Sequence, residues 1–385
     1  MSLMIILILS LIPFALLEVI FNKSEWSREL VYKMAFALAF FIVLIKYYYG
    51  SDISIYLPLY NRIGRIGIFS SSYFEPGFLL FLKCCNWLHL SFWAMTAVIT
   101  IVYFYALWQL FKQIPNYRVF GLLVLVVLDY NLLFFELRQC LAVSFFILAF
   151  LSYNNKQVYK TVLYLLLMAI SHKSGIFIVG LFLFVLSIRN FKVKAYVYGI
   201  AIAVMFVFIL FPIEKLLVLL LQSFGNSSAI KSIVHHLLVA DSMQAIYVVY
   251  VLLSVLLFLI TRKAASTSFT ARFVFVAFAM VVLLVKYWFL LNRVRSYFIP
   301  IFLFYILCNL DKIEEKICKQ LSYGIFTMYI CLISFVLYRK VEQSVSGVNA
   351  PQTVFSLVHR SKSEIIKDTL NKCRIFWKKE YVFEN

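Results

Sequence analysis

Long apolar runs, separated by short polar turns, dominate the pattern along this chain. Runs of roughly 15 to 22 apolar residues recur, and a helix of that length approaches the about 30 Å of a hydrocarbon core. The pattern therefore predicts an all-α fold, a polytopic membrane helix bundle of about 11 to 13 transmembrane helices. The predicted spans are 2–20, 30–46, 92–111, 119–136, 139–153, 159–171, 174–188, 195–213, 244–261, 273–291, 296–310 and 321–338.

One further apolar run, 76–90, is short and broken. Glu75, Pro76 and Gly77 before it are typical of a helix start, so we interpret this run as a re-entrant or interfacial helix. A full crossing at this point would put Asp52 and Arg138 on opposite sides of the membrane. The first run, 2–20, has no basic n-region and no small-residue cleavage site, and we expect it to be retained as a helix.

The composition indicates whether water or lipid surrounds the chain. The chain is 64% hydrophobic and 14% charged, whereas a soluble domain is about half apolar and about a quarter charged. We therefore expect lipid to surround most of it. The seven cysteines show no paired spacing of the kind that binds zinc, and neither a metal site nor a disulfide framework is predicted.

The net charge of +19 would point to nucleic acid in a soluble protein. In a membrane protein, short basic loops instead mark the cytoplasmic side. Placing those loops inside puts the segment 47–75, the turns "FFELRQC" and "SHKSG", the loop 214–243 and "YWFLLNRVRSYF" on the outer side.

The resulting domain prediction has two parts. A transmembrane domain covers 1–338, with the outer loops 47–91 and 214–243 contributing to a cavity, and a basic polar tail covers 339–385. Alternating the predicted spans from an outer amino terminus leaves that tail outside, against the positive-inside tendency.

Ionisable residues recur on the predicted outer side, often at membrane depth. Such groups cost several kcal/mol each unless they face water or one another, so a shared outward-facing polar cavity is the economical interpretation. For Arg293 and Arg295 an anchoring role at the lipid headgroups stays open. The candidate residues are Asp52, Glu75, Arg138, His172, Lys173, Arg293 and Arg295.

Four stretches together resemble the EpsG-like, Wzy-type polysaccharide polymerases, and they occur in that family's order over most of the chain. The most specific part is "LRQCLA" followed some thirty residues later by "HKSG". The four stretches are "YYYGSDISIYLPLY" at 47–60, "FEPGFLLFLKCCNWL" at 74–88, "LRQCLAVSFFILAFLSYNNKQVYKTVLYLLLMAISHKSGIFI" at 137–178 and "NRVRSYFIPI" at 292–301.

The resemblance implies a bacterial inner-membrane glycosyltransferase with a GT-C-like fold and an active site facing the periplasm or the outer leaflet. Such an enzyme would polymerise O-antigen or another surface polysaccharide from repeat units carried on undecaprenyl diphosphate. It would transfer the growing glycan from its lipid diphosphate to the non-reducing end of a new lipid-linked unit. The implied partners are that lipid-linked oligosaccharide, membrane lipids and a polysaccharide chain-length regulator; no cofactor, metal or nucleic acid is expected.

The residue types agree with that chemistry. A diphosphate leaving group calls for cationic donors, and arginine offers a bidentate fork. Arg138 is the first candidate for binding the diphosphate, with Arg293, Arg295 and Lys173 beside it. The acceptor hydroxyl must lose a proton, for which His172, Asp52 and Glu75 are rival catalytic bases, and the two acids alternatively bind sugar hydroxyls. Tyr56, Gln139 and Tyr73 are candidates for substrate binding.

Two other function classes stay open at this point. A flippase for lipid-linked oligosaccharides would bind the same diphosphate, but it predicts a two-fold internal repeat, which the sequence does not show. A membrane acyltransferase that modifies a surface glycan would also use a sunken histidine such as His172. No second catalytic partner for that chemistry is evident, and the order of the "LRQ" and "HKSG" motifs favours the polymerase.

Overall fold

In the computed structural model, the described residues are 3–20, 24–47, 51–68, 74–134, 136–188, 268–284, 288–310 and 352–353. They are helical apart from connecting turns and one pair of two-residue strands. The elements are α1 (Leu3–Ile20), α2 (Glu25–Leu44), β1 (Lys46–Tyr47), α3 (Ser51–Arg62), a 3₁₀ turn (Ile63–Arg65), α4 (Pro76–Trp87), α5 (Phe92–Phe111), α6 (Arg118–Leu128), α7 (Tyr130–Phe134), α8 (Leu137–Asn154), α9 (Val158–Ser171), α10 (Lys173–Ser187), α11 (Phe269–Leu284), α12 (Trp288–Leu310) and β2 (Gln352–Thr353).

These helices follow the predicted apolar runs, with four differences. α2 begins at Glu25 instead of residue 30, and the run 273–291 corresponds to α11, which is Phe269–Leu284. The run 119–136 is split at Asp129 into α6 and α7, and α12 begins at Trp288 instead of residue 296. The predicted spans 195–213, 244–261 and 321–338, the loop 214–243 and all but two residues of the tail 339–385 lie outside the described residues.

Local sequence signals explain several helix starts. Ser24 caps α2 by accepting a hydrogen bond from the Ser27 amide at 3.3 Å, and Ser91 caps α5 through the Ala94 amide at 3.2 Å. Such caps satisfy amides that have no partner within the helix. Pro76 occupies the first turn of α4, where its missing N–H costs nothing.

Two of the described helices, Phe92–Phe111 and Leu137–Asn154, are long and apolar enough to cross a membrane. Several shorter apolar helices accompany them, α9 and α10 included. In contrast, α4 has 12 residues and a length of about 18 Å, which is too short to cross a hydrocarbon core. This length agrees with the interpretation of 76–90 as an interfacial or re-entrant segment.

The chain divides into two compact units. The first contains the described elements up to Val179, together with β2, which pairs antiparallel with β1. In it α8 packs against α9 and α5, while α1 packs against α2 and α6. The second unit is Gly180–Val336, and its described elements are the end of α10, α11 and α12. There the Phe273 ring lies 5.8 Å from that of Phe298.

Charged side chains cluster where α1 ends and where α2 and α6 begin. The Glu18 carboxylate accepts hydrogen bonds from the amides of Arg118, Val119 and Phe120 at 2.6, 3.0 and 3.2 Å, and Arg118 pairs with Glu29. An acidic group suits a helix amino terminus because the macrodipole there is positive. This end of the first unit is also the one predicted to face the cytoplasm.

The other end of α2 lies about 30 Å away, because α2 has 20 residues at about 1.5 Å each. There Lys46 is buried and donates a hydrogen bond to the carbonyl oxygen of Leu133 at 2.5 Å. The same end of the bundle contains the start of α8 and the end of α9. The first unit therefore has charged groups at two ends separated by about the thickness of a hydrocarbon core.

Candidate active site

A buried ion pair joins the start of α4 to the start of α8. Arg138 Nη1 lies 2.7 Å from Glu75 Oε2, and the two side chains are 12% and 6% exposed. Glu75 immediately precedes Pro76, the first residue of α4, and Arg138 is the second residue of α8. Two of the sequence motifs, "FEPG" and "LRQ", therefore meet through opposite charges.

Burial alone would raise the pKa of the Glu75 carboxyl above its ordinary value of 4.5. The charge of Arg138 and main-chain hydrogen bonds, one of them from the Lys173 amide, oppose this effect, and the resulting pKa is lowered. Glu75 is consequently ionised at neutral pH. A carboxylate that is already paired and has a lowered pKa is a weak proton acceptor.

Aromatic rings and a hydroxyl hold the Arg138 guanidinium in place. Its Nε donates a hydrogen bond to Tyr56 Oη, and its Cζ lies 5.4 Å from the Tyr56 ring centroid and 5.3 Å from that of Phe74. Tyr56 is 1% exposed and packs against Phe78 with ring centroids 5.3 Å apart. In this arrangement the Tyr56 ring is covered, and its hydroxyl orients the arginine.

Glu75 also connects the ion pair to the "HKSG" turn. Its second oxygen, Oε1, accepts a hydrogen bond from the Lys173 amide at 3.0 Å. Lys173 is the first residue of α10, whose positive end favours a carboxylate. Three separated motifs thus converge on one carboxylate.

The turn itself is a sharp break between two helices. α9 ends at Ser171, His172 is extended with φ −154° and ψ 137°, and α10 begins at the next residue. A Cβ on Gly175 would stand 2.5 Å from the carbonyl oxygen of Met168. The close approach of the two helices therefore requires a glycine at this position.

A second glycine brings α4 against α9. A Cβ on Gly77 would lie 2.5 Å from Cγ1 and 2.7 Å from the carbonyl oxygen of Ile170. Because Gly77 is two residues after Glu75, this packing sets how far the carboxylate can be from the turn.

The imidazole of His172 is 4% exposed and contacts the start of α10. Its Nδ1 lies 2.6 Å from Ser174 Oγ and accepts a hydrogen bond from the Ser174 amide at 3.3 Å. The ring is thereby fixed to the first turn of the helix that follows it.

The remaining candidates from the sequence are distributed as follows. Gln139, next to Arg138, is buried, and Lys173 exposes its side chain. Asp52 lies one helical turn before Tyr56 in α3; its side chain, and the whole of Tyr73, lie outside the described residues.

Arg293 and Arg295 belong to the second unit, near the start of α12. Sequence patterns placed them just before a span beginning at residue 296, whereas the helix includes both. Two residues of an α-helix are separated by about 200° around the axis, so the two arginines leave α12 in nearly opposite directions.

Sequence reasoning did not single out Phe74 or Ser174. Both lie inside recognised motifs, Phe74 before "EPG" and Ser174 within "HKSG". For Ser174 the available signal was a histidine directly before a helix start. A side chain at that position can accept a hydrogen bond from the amide of the second helical residue, which here is Ser174.

Chemically, the arrangement presents a guanidinium and a helix amino terminus close together, held by one carboxylate. Both are groups that bind phosphate oxygens. Within the part of the chain that the structure describes, no group of three or more His, Cys, Asp or Glu side chains is placed to hold a metal ion.

The sequence of this chain matches a known protein family. The model of the EpsG family matches residues 29–348, a range that includes every residue of the site above. No curated protein matches the chain, and no solved structure matches it.

Proposed function

This chain belongs to the EpsG family, and on that premise we propose that it polymerises a surface polysaccharide such as O-antigen from lipid-linked repeat units. The donor would be a glycan chain carried on undecaprenyl diphosphate at the outer leaflet of the bacterial inner membrane. The acceptor would be the non-reducing sugar of an incoming lipid-linked unit.

In this reaction the acceptor hydroxyl oxygen bonds to the anomeric carbon of the donor, and the bond from that carbon to the phosphate oxygen breaks. The lipid diphosphate leaves with the electron pair, and a base takes the hydroxyl proton. Negative charge builds on the leaving oxygen, so a cationic donor held beside it lowers the barrier. Arg138 would serve as this donor.

The observation that carries the proposal is the convergence on Glu75. Arg138 from "LRQ" and the Lys173 amide from "HKSG" both bind the carboxylate of Glu75, which comes from "FEPG". Tyr56 from "SDISIY" binds the same arginine. Motifs spread over more than a hundred residues thus assemble one anion-binding arrangement at one end of the first unit.

Exposed apolar rows support a membrane setting for this bundle. The outward residues of α1 and α9 are large and hydrophobic, and water would not tolerate such continuous rows. On α1 they include Leu9, Leu16 and Val19, and on α9 Tyr159, Leu163 and Leu166.

The orientation rests on charge. Arg28 and Arg118 lie at the end of the first unit opposite the Glu75 and Arg138 pair. Lys156 lies in the turn between α8 and α9 and Lys160 in the first turn of α9, toward that same end. Basic residues favour the cytoplasmic side, which would put the site at the outer leaflet. A GT-C-like class is part of the proposal and rests on the family resemblance alone.

The test uses a strain that lacks this gene and is complemented with variants at equal membrane levels. Silver-stained gels of surface polysaccharide would show a ladder with the native protein and single repeat units with Arg138→Ala. Arg62→Ala is the matched control, because Arg62 is an exposed arginine at the end of α3, and it should keep the ladder.

Other outcomes would point elsewhere. Lipid-linked units stranded on the inner leaflet of the deletion strain would favour a flippase. An unchanged ladder that lacks acyl groups would favour an acyltransferase. A full ladder with Arg138→Ala would remove this arginine from the proposed chemistry.

A further inference from the structure

The His172 imidazole caps the helix that follows it. It occupies the position just before α10, and its Nδ1 accepts a hydrogen bond from the amide of Ser174, the second residue of that helix, at 3.3 Å. This is the contact that an N-capping side chain normally makes. The Ser174 hydroxyl lies 2.6 Å from the same nitrogen and can donate to it as well.

That geometry specifies the tautomer. A main-chain N–H can only donate, so the nitrogen that receives it carries a lone pair and no proton. A neutral imidazole with a bare Nδ1 has its proton on Nε2 and is a hydrogen-bond donor there. The positive end of α10 next to the ring opposes a second proton, whereas the nearby Glu75 carboxylate favours one, so the assignment rests on the hydrogen bond from the Ser174 amide.

We infer that His172 acts in the proposed polymerisation as a neutral hydrogen-bond donor through Nε2–H, and not as the general base. The inference rests on the proposed function. Its chemical role is to donate to an oxygen of the departing diphosphate, beside the positive charge of Arg138. A neutral imidazole fixed at a helix amino terminus is a known way to polarise an oxygen without transferring a proton.

The same geometry narrows the choice of base. Both oxygens of Glu75 are engaged, one with Arg138 at 2.7 Å and one with the Lys173 amide at 3.0 Å. Nδ1 of His172 is engaged with Ser174. Of the three rival bases, these contacts count against Glu75 and His172.

Two amide substitutions separate the possible roles of the ring. In His172→Gln the side-chain amide nitrogen can reach the position of Nε2 and donate, but it cannot accept a proton. In His172→Asn the amide lies at the position of Nδ1; asparagine is a preferred N-cap, yet it places no donor at Nε2. His172→Ala removes both functions.

The assay is the polysaccharide ladder formed from the cell's own lipid-linked units, at matched membrane levels. We expect His172→Gln to keep activity within about tenfold of the native protein, and His172→Asn and His172→Ala to lose on the order of 10²- to 10³-fold, the effect of deleting one transition-state donor. Ser174→Ala leaves the ring and the main-chain contact in place and should lose less than about tenfold.

Each other pattern overturns the inference. Equal loss in the Gln and Asn variants indicates a base, and activity retained by the Asn variant indicates a cap with no chemical role. If Ser174→Ala abolishes the ladder, the serine is essential and the assignment of the His172 proton to Nε2 is wrong. If the deletion strain itself keeps its ladder, the proposed function fails instead, which is a distinguishable result.

Discussion

Replacing Glu75 by alanine should destabilise the first unit strongly. The substitution leaves Arg138, only 12% exposed, as a buried charge without its carboxylate, and it removes the partner of the Lys173 amide. Breaking a buried ion pair from one side costs about 3–5 kcal/mol. At about 2–4 °C per kcal/mol for a unit of this size, the unfolding temperature should fall by roughly 6–20 °C.

The assay is thermal unfolding of the purified protein in detergent, arranged as a double-mutant cycle with Arg138→Ala. Each single variant should lose about 3–5 kcal/mol, and the double variant should lose about 1–3 kcal/mol less than their sum, because the second substitution removes the stranded partner. The matched control is the exposed pair Glu29 and Lys33, 3.5 Å apart and 37% and 56% exposed. Because Glu29 also pairs with Arg118, the control is the coupling energy between Glu29 and Lys33 alone, which should be only about 0.3–0.5 kcal/mol.

This reasoning would be refuted if the two substitutions lowered the free energy of unfolding additively. If the effects of Glu75→Ala and Arg138→Ala add to within about 0.5 kcal/mol, the two side chains are not coupled, and the convergence of motifs at Glu75 loses its energetic basis. A control pair that couples as strongly as the buried pair would show that the assay reports something other than burial.

Three further predictions follow from the same geometry. The pKa of Glu75 is lowered from 4.5, so the stability that its ionised form contributes should be complete above about pH 5 and be lost as the pH falls below 4.5 through the folded-state pKa. Unfolding temperatures measured against pH should show this loss. In Glu75→Gln the pH dependence should disappear. Gly77→Ala should cost about 1–3 kcal/mol by overpacking α4 against α9, whereas Gly180→Ala, with nothing within 4 Å, should be neutral or slightly stabilising in the same melts. Arg293→Ala and Arg295→Ala should differ in the gel assay, because the two side chains leave α12 in directions about 200° apart. One variant should lose polymerisation activity by about 10²-fold and the other should lose little. Equal losses would contradict the prediction that only one of the two arginines binds the diphosphate.

The sequence by itself determined the helical elements to a large extent. Apolar runs bounded by turn residues predicted α5 at its observed limits and α1, α8, α9 and α10 within a few residues, because helix length and apolar content are local properties. It also singled out Glu75, Arg138 and His172, since charged residues in an apolar stretch are costly wherever the chain takes them. The break at Asp129 and the early start of α12 depend on packing, which no local pattern contains.

Only the tertiary structure decided which of those residues contact one another and which atoms those contacts engage. Glu75 and Lys173 are nearly a hundred residues apart, and their contact depends on Gly77 letting α4 approach Ile170 within van der Waals distance. Sequence patterns left Asp52, Glu75 and His172 as unranked rivals for the base. Their hydrogen bonds to Arg138, to the Lys173 amide and to Ser174 engage the atoms a base would need, and the geometry of such bonds is set by helix packing and by the turn at residue 172.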